Sequence, residues 1–229
     1  MTRILFLSLF FSICQFLEAQ TNIQLSFNLL HNKKPVKNES PLVSKTGDTL
    51  SVEILKCYIS LIELKLKTGK IFKEKNSFHL LDFENTSTVN LHLNSGPLGE
   101  IDYITFNLGI DSTTNVSGAL GGDLDPSKGM YWAWQSGYIN FKLQGTSSKC
   151  LTRKNQYQFH LGGYLSPYCA LRKIKLVFQK ESKQNINIAI ELDDFFNKID
   201  LSKTNTVMIP CKEAVMLSDL ACKIFSIQE

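Results

Sequence analysis

The sequence predicts an all-β fold, an antiparallel β-sandwich with a short C-terminal helix. Three observations predict it. Apolar and polar residues alternate with a period of two through most of the chain, as half-buried strands require. Turn signals such as Asn94-Ser-Gly-Pro97, Gly121-Gly-Asp123 and Ser166-Pro167 separate the alternating runs. Helical spacing is confined to the end, where Ala214, Leu217, Leu220, Ala221 and Ile224 recur within residues 212–225.

The elements follow in order. Met1-Thr-Arg3 is a short basic start, residues 4–16 are almost continuously apolar, and Leu17-Glu-Ala19 supplies a small residue for cleavage. This pattern predicts a secretory signal peptide over residues 1–19, too short to span a membrane comfortably. Cys14 raises lipid attachment as an alternative, but Ile13 is bulky where such a site needs a small residue. Residues 20–229 remain as one domain, exported to a periplasmic or extracellular space. Residues 23–29 read as the first strand, with Ile23, Leu25, Phe27 and Leu29 on one face. Residues 49–59 and 61–67 read as two strands around a polar break, and Gly69 closes the second in a turn. Strands are expected at 78–83, 89–93, 103–110, 138–143, 157–161, 174–178 and 186–192, with a short helical turn at 193–199.

Several function classes are excluded on this basis. The net charge of +4 is mild and the basic residues are scattered, so nucleic-acid binding has no footprint. There is no G-x-S-x-G elbow, H-E-x-x-H, P-loop or dinucleotide fingerprint, which points away from an enzyme. Five cysteines follow the cleavage point, and an exported chain can oxidise them. Cys150 and Cys169 flank the segment around residues 157–164 and form the first candidate disulfide. Cys211 and Cys222 form the second, leaving Cys57 as a buried thiol.

The densest chemistry lies at residues 124–138, which carry Tyr131, Trp132, Trp134 and Tyr138 between Pro126, Gly129 and Gly137. These are the only two tryptophans, and the preceding loop, about twenty residues without strand pattern, has a length usual for functional loops. His160 leaves the core face of its strand, because Tyr157, Phe159 and Leu161 alternate against it. His79 likewise sits between Phe78 and Leu80. Imidazole suits Cu, Zn, Fe and Ni, and a soft partner favours Cu(I). A lone strand histidine is more often structural, and a tryptophan pair also serves as packing or as a carbohydrate platform. Asp111, Asn115, Asp123 and Asp125 offer oxygen ligands for Ca²⁺, although their spacing is not that of an EF-hand and such residues commonly cap turns.

Gly129-Met-Tyr-Trp132 together with Phe159-His-Leu-Gly-Gly-Tyr164 resembles the MbnP-like family of copper-associated exported proteins. The strand at 23–29, Cys57-Tyr-Ile-Ser60, Phe78-His-Leu-Leu-Asp82, Phe106-Asn-Leu-Gly-Ile-Asp111, Asn115 and Leu124-Asp-Pro126 extend the resemblance over most of the chain. It implies a non-enzymatic copper-binding protein. It further implies a tryptophan oxidised to kynurenine by a dihaem partner enzyme related to MauG, joining histidines at Cu(I). Carried over, Trp132 is the modified position, with Trp134 its rival, and His160 and His79 are the ligands. A characterised relative has a histidine two residues beyond the modified tryptophan, where this chain has Trp134. The alternative is an interaction module that holds an organic ligand or protein through its aromatic loop.

Overall fold

The computed structural model describes residues 21–228 apart from 37–40, 46, 97–98 and 182–183; the expected signal segment, with Cys14, lies outside them. Among the described residues the strands form two sheets. The first contains β1 (Thr21–His31), β2 (Lys34–Pro35), β7 (Asn90–Gly96), β13 (Asn185–Glu191) and β15 (Phe225–Gln228). The second is built on β4 (Thr49–Leu66), β8 (Ile101–Leu108), β10 (Gly137–Ser147), β11 (Gln156–Gly162) and β12 (Arg172–Val177). It also carries the short strands β3 (Leu42–Val43), β5 (Ile71–Lys73), β6 (Phe78–Asp82), β9 (Tyr131–Trp132) and β14 (Thr206–Val207). The sandwich is as expected, but the sheets are mixed, because β1 pairs β13 in parallel and β11 pairs β14 in parallel.

The alternation read from the sequence buries the predicted face. Ile23, Leu25 and Phe27 of β1 point inward, and Phe27 meets Phe106 of β8 edge-on at 6.1 Å between ring centres. Phe141 of β10 and Phe159 of β11 face the same core, where Phe195 lies 6.0 Å from each ring. Phe195 belongs to α2 (Leu192–Phe196), the short turn expected near 193–199. The C-terminal helix α3 (Lys212–Ala221) stops short of residue 225, where the chain turns extended to pair β15 with β13.

The largest departure from expectation is β4. Two strands were expected around a polar break, and one continuous strand forms. The break is a bulge: Leu61 has φ 51°, its N–H donates to Ser77 O at 3.0 Å, and pairing with β8 slips between Ser60 and Glu63. The registers show how β4 is used. Lys56 and Cys57 pair with both β6 and β10, while Ile59 and Ser60 pair with both β6 and β8. One edge of β4 therefore takes β10 and then β8, and the other takes β6, flanked by β3 and β5.

Neither expected disulfide forms, and the described cysteines are all unpaired. Cys150 is buried just beyond the end of β10, whereas Cys169 is exposed in the loop past the far end of β11. The seven residues of β11 span about 20 Å, far beyond the reach of a disulfide. Cys211 and Cys222 are the N-cap and C-cap of α3, which a helical rise separates by about 16 Å. Cys57 is a fully buried thiol, as expected, and burial raises its pKa.

Two measurements check this account. A Cβ on Gly145 would sit 2.0 Å from Ser51 O and 2.6 Å from the Tyr157 hydroxyl, so Gly145→Ala is expected to lower unfolding free energy by about 2–3 kcal/mol in urea titration. In the native protein, thiol labelling followed by mass spectrometry should mark Cys169 rapidly and Cys57 only after unfolding.

Candidate functional site

The site lies on the face of the larger sheet that points away from the sandwich core. There the segment between β8 and β10 folds back over β4, β6 and β10. Its first turn is α1 (Ser112–Val116), capped by Asp111, whose carboxylate accepts from Thr114 N at 2.9 Å and Thr114 Oγ1 at 2.8 Å. Asn115 is buried and clamps both ends of the loop. Its Nδ2 donates to Ile110 O and Asp111 O, each at 2.9 Å, and its Oδ1 accepts from Tyr138 N at 2.8 Å. Asp123 accepts from Leu80 N at 3.1 Å and pairs with Lys128 Nζ at 2.6 Å, while its carbonyl accepts from Tyr58 OH at 3.1 Å. Asp125 caps the next turn, and the Ser127 hydroxyl and N–H hold its carboxyl below the usual range. The four expected oxygen ligands thus serve as caps and clamps. Among the described residues no three His, Cys, Asp or Glu side chains gather in a metal-ligating group.

This anchored loop covers a second apolar cluster, separate from the sandwich core. It contains Tyr58, Leu80, Ile110, Leu124, Met130, Trp132, Tyr138 and Ile139. Tyr138 stands edge-on to Tyr58 at 5.8 Å and to Tyr131 at 5.0 Å, and its hydroxyl donates to Gly118 O at 3.1 Å. Period-two alternation alone would put Ile139 on the core face with Phe141. A register slip in β10 between these two residues turns Ile139 outward instead. Trp132 is 7% exposed and lies across Gly162 of β11, where a Cβ would meet the indole at 2.6 Å. Only glycine admits the ring at that distance. Trp134 is 65% exposed and leans on Trp132 with 5.7 Å between ring centres.

His160 shares this face, one pleat repeat from Gly162, which is about 7 Å. It pairs across β10 with Lys142, which pairs with Lys56 of β4, which pairs with Asp82 of β6. The four side chains form one row over four strands, and Lys56 Nζ closes it on Asp82 at 2.8 Å. The imidazole is 7% exposed, and its Nε2 is buried without a hydrogen-bond partner. Burial, with the Lys142 charge behind it, pushes the His160 pKa down to about 4. Lys142 Nζ donates to Gly129 O at 3.2 Å, and burial, then repulsion from Lys56, lowers its pKa.

His79 does not join this group. It pairs with Ile59, a residue of the sandwich core, whereas Lys56 and Tyr58 point the other way. The uninterrupted register from Lys56 to Ser60 puts His79 and His160 on opposite faces of the sheet, so no single ion can reach both. His79 Nε2 is held by Glu74 at 2.8 Å, and His31 is held between Val43 O and Asp193, each at 3.0 Å. Of the expected residues, the fold brings together Trp132, Trp134 and the face bearing His160. Sequence reasoning missed Lys142, Lys56 and Asp82. The alternation did carry their signal, since each lysine interrupts an apolar strand at the outward phase.

The sequence profile of MbnP matches residues 20–209. The chain belongs to the MbnP family. Among solved structures, MbnP from Methylosinus trichosporium is similar with a TM-score of 0.66 at 18% identity, over 91% of this chain and 98% of that one. At that identity the likeness is one of fold. A comparison with curated proteins gives no match. In this member of the MbnP family the Gly-Met-Tyr-Trp segment is the loop lying over the sheet, and His-Leu-Gly-Gly is the strand end beneath it.

The histidine generates a pH prediction. Its folded pKa lies below the unfolded 6.5, so between pH 6.5 and 4 the unfolded chain binds more protons. Stability should fall as pH drops through that window, by on the order of 2 kcal/mol, and His160→Gln should flatten the slope. NMR titration of the His160 ring should give a midpoint near 4.

Proposed function

We propose that this MbnP-family chain is an exported, non-enzymatic copper-binding protein, and that its copper corner is formed by His160 and Trp132. The observation that carries the reading is the buried Nε2 of His160, which has no hydrogen-bond partner and sits on the face that the Trp132 ring covers. Leaving such an atom unpaired costs about 1–3 kcal/mol, which a bound ligand would recover. A pKa of about 4 keeps the imidazole neutral and able to ligate at any ordinary pH. The donor set suits a soft ion at low coordination better than a hard one, since no carboxylate joins it. Copper would supply a Lewis-acidic or electron-carrying centre; the chain would supply the neutral imidazole and the dry wall around it. Oxidation of Trp132 by a dihaem partner would add a carbonyl oxygen on the same face, with Trp134 as the outer ring toward the partner. His79 is left out of this site, and the export reading rests on the leader-like residues 1–19.

The test is metal analysis of protein purified natively from its source, followed by Cu(I) competition titration. Copper should be retained by the native chain and by His79→Ala, while His160→Ala should keep its fold and lose affinity by more than about tenfold. Equal copper in His160→Ala would remove that residue from the site.

A further inference from the structure

We propose that the hollow beside Trp134 is a binding site for an uncharged sugar ring. It adjoins the copper corner through the contact between Trp132 and Trp134 but uses neither His160 nor copper. Three segments build it: the loop between β9 and β10, the loop after β11, and residues 209–210. Gly163, with φ 116°, lets the last two meet, because a Cβ there would lie 2.4 Å from Tyr168 O and 2.9 Å from Pro210 Cβ. The floor is therefore closely packed backbone, and the rings stand around it.

Four features give the ligand class. Trp134 and Tyr168 are 65% and 42% exposed, and Leu165 beside them is exposed as well. Exposed aromatic rings lining one hollow offer apolar faces on which a ligand can stack. No acidic or basic side chain lines the hollow, so an ionic ligand would be desolvated there with no countercharge. Gln135, Ser166 and the tyrosine hydroxyls supply neutral donors and acceptors alongside the rings. The volume is about 250 Å³, below the roughly 300–1,000 Å³ of sites that engulf apolar ligands. An occupant thus keeps one side in water and must itself be well hydrated. A neutral pyranose meets all four conditions. Its C–H face lies on an indole, its hydroxyls reach amides and hydroxyls at the rim, and its other side stays wet.

The two tryptophans give the readout, since Trp134 is exposed and Trp132 is 7% exposed. The mature protein is titrated with cellohexaose, laminarihexaose, mannohexaose and chitohexaose while intrinsic fluorescence is followed. At least one should give a saturable blue shift. That response should vanish in Trp134→Ala, weaken at least tenfold in Tyr168→Ala, and persist in His160→Ala, which separates it from the copper reading. The exposed positions of both aromatic changes leave the fold intact by circular dichroism. No response to any of the four up to about 10 mM, a limit beyond which binding is negligible, overturns the proposal. So does a response that survives Trp134→Ala. Sedimentation showing a dimer that Trp134→Ala dissolves also overturns it, because a second copy then fills the hollow.

Discussion

The structure hangs on one strand with two full edges. β4 is 18 residues long and pairs with β10 and β8 along one side and with β3, β6 and β5 along the other. A strand in that position sets the register of everything beside it, and a slip of one residue would exchange core and surface throughout the sheet. The bulge at Leu61 lets a long strand bend without losing its neighbours, since the displaced N–H finds Ser77 O at 3.0 Å. The row His160, Lys142, Lys56 and Asp82 is a direct product of that register.

The outward face of this sheet is unusual in being covered. Antiparallel sheets commonly leave that face in water. Here a loop anchored by Asn115, Asp111 and Asp123 brings a second apolar cluster onto it. The covering changes the chemistry of what lies below. Lysine and histidine that would be ordinary surface groups become partly desolvated, and both pKa values fall. His79 and the loop carboxylates have their hydrogen-bond partners, whereas His160 Nε2 and, on β10, Asn140 Nδ2 are buried without one.

The cysteines and histidines show where spacing misleads. Flanking a segment in sequence suggested closure of that segment by a disulfide. A strand and a helix are rigid rods, and the residues at their two ends are kept apart by the rod itself. His79 and His160 both looked outward from their local neighbours. Each reading was local, and the faces were opposite once β6 and β11 were referred to the same central strand.

By itself, the sequence determined the strand alternation, the β-sandwich, the C-terminal helix, the MbnP resemblance and the aromatic loop as the place of interest. Those follow from short-range periodicity and from residue types that occur together along the chain. Only the tertiary structure decided that Trp132 lies over Gly162, that Lys142 and Lys56 share a face with His160, and that His79 does not. It also decided that the mixed sheets include two parallel pairings and that the four loop residues are spent on two caps and two clamps. The reason is physical: alternation states which side of its own strand a residue takes. Which strands lie adjacent, in which register, and which loop closes over them depends on contacts between residues far apart in the chain.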